Sequence, residues 1–302
     1  ICTALHFQDK PGQQLDVLRN QKLLARYLYA NDPARPTETD KPFLHVFDPD
    51  GQFPITNGPG GEYPHHRGIF IGWRKLTVNG KPHDFWSMKD GQQIHRKLLI
   101  TKDGSAFTSL VDWLTNDSTL LLKEQRTFRF LEPPAPAYAL IETRSKLKAV
   151  AGEPVLDGDP EHAGLQFRPA NDIDRTATAY FFPKENADPR TDKDYPWVGV
   201  TFSLHGKPFS VVYLNHPSNP KDAVTSAYRD YGRFGMFAKA TIPNDSEKTI
   251  CVRFLIVAGE MPSADSIQKA YKDFAGVNLP TPNITIKKAE TRPSPKPKTK
   301  KK

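Results

Sequence analysis

The chain has 302 residues, 37% of them hydrophobic, and a formal net charge of +8. This length suits one large domain or two ordinary ones, and the absence of any apolar run of 18 residues argues against a membrane-spanning helix. Residues 287–302 hold eight lysines and arginines against one acid, Glu290. Because nearly all of the net charge lies in this terminal stretch, it is typical of a solvated end and not of a nucleic-acid-binding surface.

Runs with strand-like alternation recur from LLARYLY to TICVRFLIV, and turn signals such as DPDG, VNGKP and HGKP separate them. This pattern predicts an all-β protein, a large antiparallel β-sandwich of the supersandwich type, as one domain over residues 1–280. One helix is predicted at Ser263–Phe274, where a capping serine precedes apolar residues at helical spacing. Residues 281–302, rich in Lys and Pro, are expected to form a disordered tail.

The chain begins at Ile1, which is typical of a mature form and favours a periplasmic or secreted protein. Two cysteines, Cys2 and Cys251, lack CxxC spacing, so a cysteine zinc site is not indicated. Whether they pair stays open, although a buried free Cys251 is favoured because it lies in a strand-like run. The sequence does not indicate an oligomeric state.

Histidines and arginines recur beside Gly and Pro at the predicted strand ends, where loops usually carry function. The first such segment, GGEYPHHRG, presents His65, His66 and Arg67 just before a clear strand. Adjacent histidines on a strand point to opposite faces, so one would reach the site while the other braces it. A solvated polar turn is the alternative interpretation.

Three further segments follow the same pattern. HDFW with a later histidine contributes Asp84, Trp86 and His95, with Asp84 as a partner for a histidine and Trp86 as a platform for a sugar face. HAGLQFR places His162, Gln166 and Arg168 on one side of a strand. The last segment, NHPSNP with YRDYGRF, contributes the following residues: Asn215, His216, Asn219, Tyr228, Arg229 and Tyr231. Core packing of Trp86 and an ordinary Asn-His-Pro turn are the structural alternatives.

The motifs HHRGIFIGW, HDFW, HAGLQFR, WVGV, NHPSNP and YRDYGRF together resemble the bacterial family described as methane oxygenase PmoA-like, a domain of unknown function. The resemblance spans Leu23 to Val257. Membrane methane monooxygenase subunits need many spanning helices, which this chain lacks, so the family's name does not fit its sequence. Members resemble soluble β-sandwich proteins of saccharide-degrading bacteria, which implies carbohydrate chemistry.

Two functions follow from these observations. The first is a carbohydrate-active enzyme, a lyase or hydrolase with a saccharide substrate, in which histidine transfers protons and arginine binds a carboxylate or stabilises an oxyanion. Its predicted catalytic residues are His65, His66, Arg67, His162, His216 and Arg229. A divalent metal held by His66, His162 and His216 is an open variant. The second function is a non-catalytic saccharide-binding module that uses four tryptophans as stacking platforms: Trp73, Trp86, Trp113 and Trp197.

Overall fold

A computed structural model describes residues 5–291 and shows an antiparallel β-sandwich. Its first sheet has eight strands in the order β1-β2-β3-β4-β5-β13-β18-β17. Their bounds are Leu5–Lys10, Gln14–Arg19, Lys22–Leu28, Phe43–Val46, Ile69–Trp73, Ala163–Phe167, Phe234–Phe237 and Val224–Thr225. The predicted fold class is therefore confirmed.

The second sheet has nine strands in the order β21-β14-β15-β16-β20-β11-β10-β9-β8. Their bounds are Thr285–Lys288, Asp174–Phe182, Trp197–Leu204, Lys207–Asn215, Glu247–Val257, Ala139–Ala149, Leu120–Leu131, Ala106–Thr115 and Gly91–Ile100. A small third sheet joins β19 (Ala240–Thr241), β12 (Val155–Asp157), β6 (Lys75–Val78) and β7 (Lys81–His83). All pairings between these strands are antiparallel, and many join consecutive strands through short turns.

The main hydrophobic core lies between the two large sheets. Alternate residues of each strand enter it, such as Ile69 and Leu165 from the first sheet and Phe128 and Phe254 from the second. Aromatic rings join the two layers, for example Phe167 with Phe254, whose ring centroids are 6.0 Å apart. This one-sided burial explains why the strands read as alternating sequences.

The predicted helix near Ser263 is confirmed as α2 (Ala264–Ala275), where the Ser263 side chain accepts a hydrogen bond from the Ser266 N–H. Its apolar stripe packs on the outer face of the nine-stranded sheet, against Trp197 and Leu214. A four-residue helix, α1 (Pro36–Thr39), was not predicted. No helix among residues 5–291 is long and apolar enough to cross a membrane.

The prediction of a disordered tail from residue 281 onwards is wrong for residues 285–290. Strand β21 pairs with the edge strand β14, and the Glu290 N–H donates to the Tyr228 carbonyl at 2.7 Å. An edge strand presents unpaired backbone groups, and this segment satisfies them despite its two lysines, Lys287 and Lys288. The rest of the predicted tail, residues 292–302, lies outside the described residues, as does Cys2. Cys251 is buried with a free thiol.

Candidate active site on the outer face of the eight-stranded sheet

Strands β5 and β13 are neighbours in the eight-stranded sheet, and each contributes residues to both of its faces. Ile69, Ile71 and Leu165 point into the core. Phe70 and Gln166, which alternate with them, lie on the opposite face, where Phe70 packs with Phe43 and Trp86. The polar side of β13 predicted from the sequence is therefore the outer face of this sheet, covered by loops instead of solvent.

The loop that carries the two adjacent histidines is fixed to this face by backbone hydrogen bonds. Asn57 donates its N–H to the Arg168 carbonyl at 3.0 Å, and its side chain donates to the His66 carbonyl at 2.7 Å. The Arg168 N–H in turn donates to the Gly68 carbonyl at 2.8 Å. These bonds hold the histidines and Arg168 in one place, although about a hundred residues separate them in sequence.

Trp86 reaches the same place because Gly72 on β5 allows a close approach. A Cβ at Gly72 would lie 2.3 Å from the Phe85 carbonyl oxygen, so any larger residue would displace the loop. Asp84 shapes this loop by accepting the N–H groups of Trp86 and Ser87 at 2.9 and 2.7 Å. Lys41 also binds it, donating to the Trp86 carbonyl at 2.9 Å.

Seven side chains from four chain segments meet here and are named the His66 cluster. The members are His65, His66, Trp86, His162, Arg168, Tyr231 and Arg233. The His66 ring centroid lies 4.3 Å from that of His65, 5.4 Å from that of Trp86 and 6.2 Å from that of Tyr231. Trp86 also touches His162, with centroids 6.2 Å apart, and lies 5.5 Å from the Arg233 guanidinium carbon. The Arg168 guanidinium carbon is 4.9 Å from the Tyr231 ring.

The cluster holds an unusual concentration of unpaired polar atoms. Of twelve buried side-chain nitrogen and oxygen atoms without a hydrogen-bond partner among residues 5–291, five belong to it. They are both ring nitrogens of His66, Nε1 of Trp86, and Nε of Arg168 and Arg233. Each such atom costs about 1–3 kcal/mol when it is removed from water. A concentration of this cost in one place is typical of a site that binds a ligand.

His162 stands at the half-buried edge of the cluster and is oriented by Asp159. Its Nδ1 lies 2.8 Å from Asp159 Oδ1 and 3.0 Å from Oδ2. Because a carboxylate oxygen accepts, the neutral form of this imidazole carries its proton on Nδ1 and keeps a lone pair on Nε2. A neutral imidazole held in this tautomer can accept a proton from a bound molecule.

Glu161 precedes His162 and is held by Arg229, whose Nη2 donates to Oε1 at 2.6 Å. Burial by itself would raise the pKa of Glu161, but the hydrogen bond and charge of Arg229 outweigh it and lower that pKa. Burial and then the nearby Glu161 raise the pKa of Tyr228. Glu161 is therefore ionised and Tyr228 is protonated at neutral pH.

The two adjacent histidines are neutral at physiological pH. Burial and the positive charge of Lys41 lower the pKa of His65 to about 3. Burial and Arg233 lower the pKa of His66 well below its usual range. Both rings can therefore donate or accept one hydrogen bond each without carrying charge.

The structure thus brings six predicted residues together in the cluster itself: His65, His66, Trp86, His162, Arg168 and Tyr231. Gln166 contacts it through Arg233 Nη1, which donates to Oε1 at 2.9 Å. Tyr228 and Arg229 lie beside it with Glu161. These are the predicted site residues that share one neighbourhood.

His216 does not join them, contrary to the prediction. It lies on the outer face of the nine-stranded sheet, where its ring packs against Phe274 of α2 at 4.9 Å and its Nδ1 bonds Ser218. Asn219 bonds the backbone of Cys251 through both ends of its amide and also bonds Asn215. These bonds fix the turn that follows β16 to the backbone of the neighbouring strand β20.

Other predicted roles are also corrected. His95 lies on β8, bonded to Ser109 and packed on Tyr29, away from the cluster. Arg67 adjoins the cluster, but all three of its side-chain nitrogens bond protein acceptors, including Asp40 at 2.8 Å, so it fixes a loop. Asp84 bonds backbone N–H groups and not a histidine. Trp86 is fully buried and cannot serve as an open platform for a sugar.

The predicted metal set is not assembled, because His216 lies on the other sheet. Within residues 5–291, no group of three His, Cys, Asp or Glu side chains is placed to hold a metal ion.

The sequence reasoning missed Arg233, Lys41 and Asp159. Arg233 lies within the YRDYGRF motif beside Gly232, a signal that could have singled it out. Asp159 lies three residues before His162, a spacing that suits a local bond. Lys41 gave no signal, because its position beside Trp86 depends only on tertiary packing.

A family of unknown function, DUF6807, matches residues 14–272. The chain belongs to this family. No curated protein matches the sequence.

Solved structures with distant similarity include an α-galactosidase and a mutarotase-related protein. The GH36 alpha-galactosidase AgaA from Geobacillus stearothermophilus has a TM-score of 0.39 at 10% identity, over 85% of this chain and 41% of that one. The galactose mutarotase related enzyme from Lactobacillus acidophilus has a TM-score of 0.38 at 7% identity, over 85% of this chain and 99% of that one. This chain thus spans about two fifths of the α-galactosidase.

Proposed function

We propose that the protein is a carbohydrate-active enzyme, a lyase or hydrolase, whose saccharide binds at the His66 cluster. The observation that carries the proposal is the pairing of two features in one place. A histidine with a free Nε2, oriented by Asp159, stands at the edge of a cluster in which five buried nitrogens lack partners. A sugar offers hydroxyl groups that both donate and accept, and one bound at the half-buried edge beside His162 would lie next to these nitrogens.

His162 is assigned proton transfer in this proposal. Its half-buried position leaves it open to a bound molecule, while Asp159 holds its tautomer and stabilises the imidazolium that forms when it accepts a proton. Arg233 and Arg168 supply positive charge close to the reacting region, where it would stabilise a developing oxyanion. Glu161 and Tyr228, one ionised and the other protonated, complete a set of acid and base groups.

The alternative, a binding module with tryptophan platforms, loses its main support. All four tryptophans are buried, with exposed fractions of 0–2%. A stacking platform needs an open aromatic face, and the tryptophans do not offer one. The concentration of titratable groups around His162 favours an enzyme.

The test is a screen of neutral, oxidised and uronic oligosaccharides with the full chain, with products followed by NMR. We expect wild-type protein to convert at least one substrate and His162→Ala to lose about 10²–10⁴-fold of that rate, as for removal of a general base. Asp159→Asn should lower the rate and shift its pH profile while the circular dichroism spectrum stays unchanged. Full activity in His162→Ala would refute the assignment.

A further inference from the structure

Two arginines of the His66 cluster, Arg168 and Arg233, hydrogen-bond only neutral groups among the described residues. The carboxylates of Glu62 and Glu161 act on them only at longer range. Both are fully buried, and neither has a carboxylate within ion-pair distance among residues 5–291. Arg233 bonds Gln166 and Ser226, at 2.9 and 3.1 Å, and Arg168 bonds Asn171 at 2.7 Å together with the Tyr231 carbonyl. All of these acceptors are neutral.

Arginines around the cluster are paired differently. Arg175 bonds Glu62, Arg190 bonds Glu290, and Arg229 bonds Glu161. Of these five arginines, only the two inside the cluster lack a carboxylate partner. An uncompensated charge in a protein interior is costly unless something pairs with it.

Most of the unpaired atoms of the cluster are hydrogen-bond donors, which suit a negatively charged acceptor. Nε of Arg168, Nε of Arg233 and Nε1 of Trp86 are all N–H donors that lack an acceptor. His65 and His66 are neutral at physiological pH and add no negative charge. The three N–H donors and the two guanidinium charges outnumber the acceptors of the site, which are one ring nitrogen of His66 and Nε2 of His162. This excess of donors and positive charge complements an anionic oxygen group.

We propose that the saccharide bound at this site carries an anionic oxygen substituent, a carboxylate or a sulfate ester, attracted by Arg168 and Arg233. The inference rests on the proposed function in placing a saccharide at the cluster. Direct contact with both guanidinium groups is not required, because a charge acts more strongly through a protein interior than through water. Where contact is made, arginine matches a carboxylate with paired hydrogen bonds.

The experiment measures binding of matched ligands to the full chain by calorimetry. The ligands are oligogalacturonate and its carboxyl-reduced form, and a sulfated galactan oligosaccharide and its desulfated form. We expect at least one anionic ligand to bind about tenfold tighter than its neutral match, as for a charge-assisted hydrogen bond, and added salt to weaken this preference. The two pairs distinguish a carboxylate from a sulfate ester.

Arg233→Met should remove the preference, and Arg168→Lys should reduce it. The matched control is Arg96→Met, because Arg96 pairs with Asp112 at the exposed surface and should leave the preference intact. If Arg233→Met does not fold, the salt dependence of wild-type binding and Arg168→Lys still decide the question.

Equal binding of the charged and neutral ligands would overturn this inference, and His162-dependent turnover of a neutral sugar would then leave the proposed function standing. Selective binding of an anionic sugar with no turnover of any sugar would instead overturn the enzymatic function and support the inference.

Discussion

Two regions of the molecule bury polar side chains. One pairs its hydrogen-bonding groups with each other, and the other leaves several of them unpaired. The first, named the Arg126 network, lies in the core between the sheets and contains Gln93, Trp113, Glu124, Arg126 and Ser145. Glu124 accepts from Arg126 at 2.7 and 2.9 Å, from Trp113 Nε1 at 2.8 Å and from Ser145 at 2.7 Å. Arg126 also bonds Gln93 at 2.8 Å and the Pro42 carbonyl at 2.9 Å.

The His66 cluster contains the same residue types without their partners. Trp86 Nε1 has no acceptor, whereas Trp113 Nε1 has one, and Arg233 has no carboxylate, whereas Arg126 has one. A network that satisfies itself fixes the fold and has no capacity left for a ligand. One that leaves donors unpaired lowers stability, a cost that proteins typically retain at functional sites.

The largest expected difference between the two regions is the loss of stability when a buried charged residue is replaced. Glu124→Leu should lower the free energy of unfolding by about 3–5 kcal/mol, because it leaves Arg126 buried and unpaired. Arg233→Met should lower it by less than about 1 kcal/mol or raise it, since no carboxylate loses its partner and a buried charge without an ion pair is removed. Urea denaturation measures both. Equal losses would show that the His66 cluster is a structural network like the other.

A smaller difference is expected for the tryptophans. Trp113→Phe removes the bond to Glu124 and should cost about 1–3 kcal/mol more than Trp86→Phe, whose indole nitrogen has no bond to lose. Both changes remove similar volume from fully buried sites, so each serves as the control for the other. Thermal and urea unfolding give the values, and a larger cost at Trp86 would contradict the comparison.

Acid should destabilise the protein through the two adjacent histidines of the His66 cluster. The pKa of His65 is lowered to about 3 in the folded protein, and that of His66 is also lowered, whereas in the unfolded chain both protonate near pH 6.5. The unfolded state then binds more protons, so stability is full above about pH 6.5 and falls as the pH drops towards 3.

His65→Gln with His66→Gln should make this pH dependence shallower. His45, whose pKa is lowered to about 4 by burial and Arg26, contributes a similar dependence that remains in the double variant. Urea unfolding between pH 7 and 4 measures the slopes, and an unchanged slope would count against neutral histidines in the cluster.

The smallest effect is expected at His216. Because it lies beside α2 and outside both regions, His216→Ala should leave saccharide turnover unchanged and alter the unfolding free energy by roughly 0.5 kcal/mol or less, as for most surface changes. Loss of turnover with an intact fold would restore His216 to the site. The screen proposed above for His162→Ala provides the measurement.

The fold class, the helix α2 and part of the candidate site could be predicted from the sequence. Alternating runs with turn residues between them predict a β-sandwich, because a strand with one buried face must alternate. The capping serine and apolar spacing placed α2 correctly. Histidines and arginines beside Gly and Pro identified His66, His162 and Arg168, since loops at strand ends carry such groups.

Only the tertiary structure decided which of these loops meet. Alternation fixes the face of a residue relative to its own strand, but not the sheet to which that strand belongs. His66 enters the eight-stranded sheet through β5, whereas His216 ends β16 in the nine-stranded sheet, so two similar motifs lie apart. The lack of an ion pair at Arg233 is likewise invisible in sequence, because it depends on neighbouring carboxylates such as Glu161 being held by other arginines.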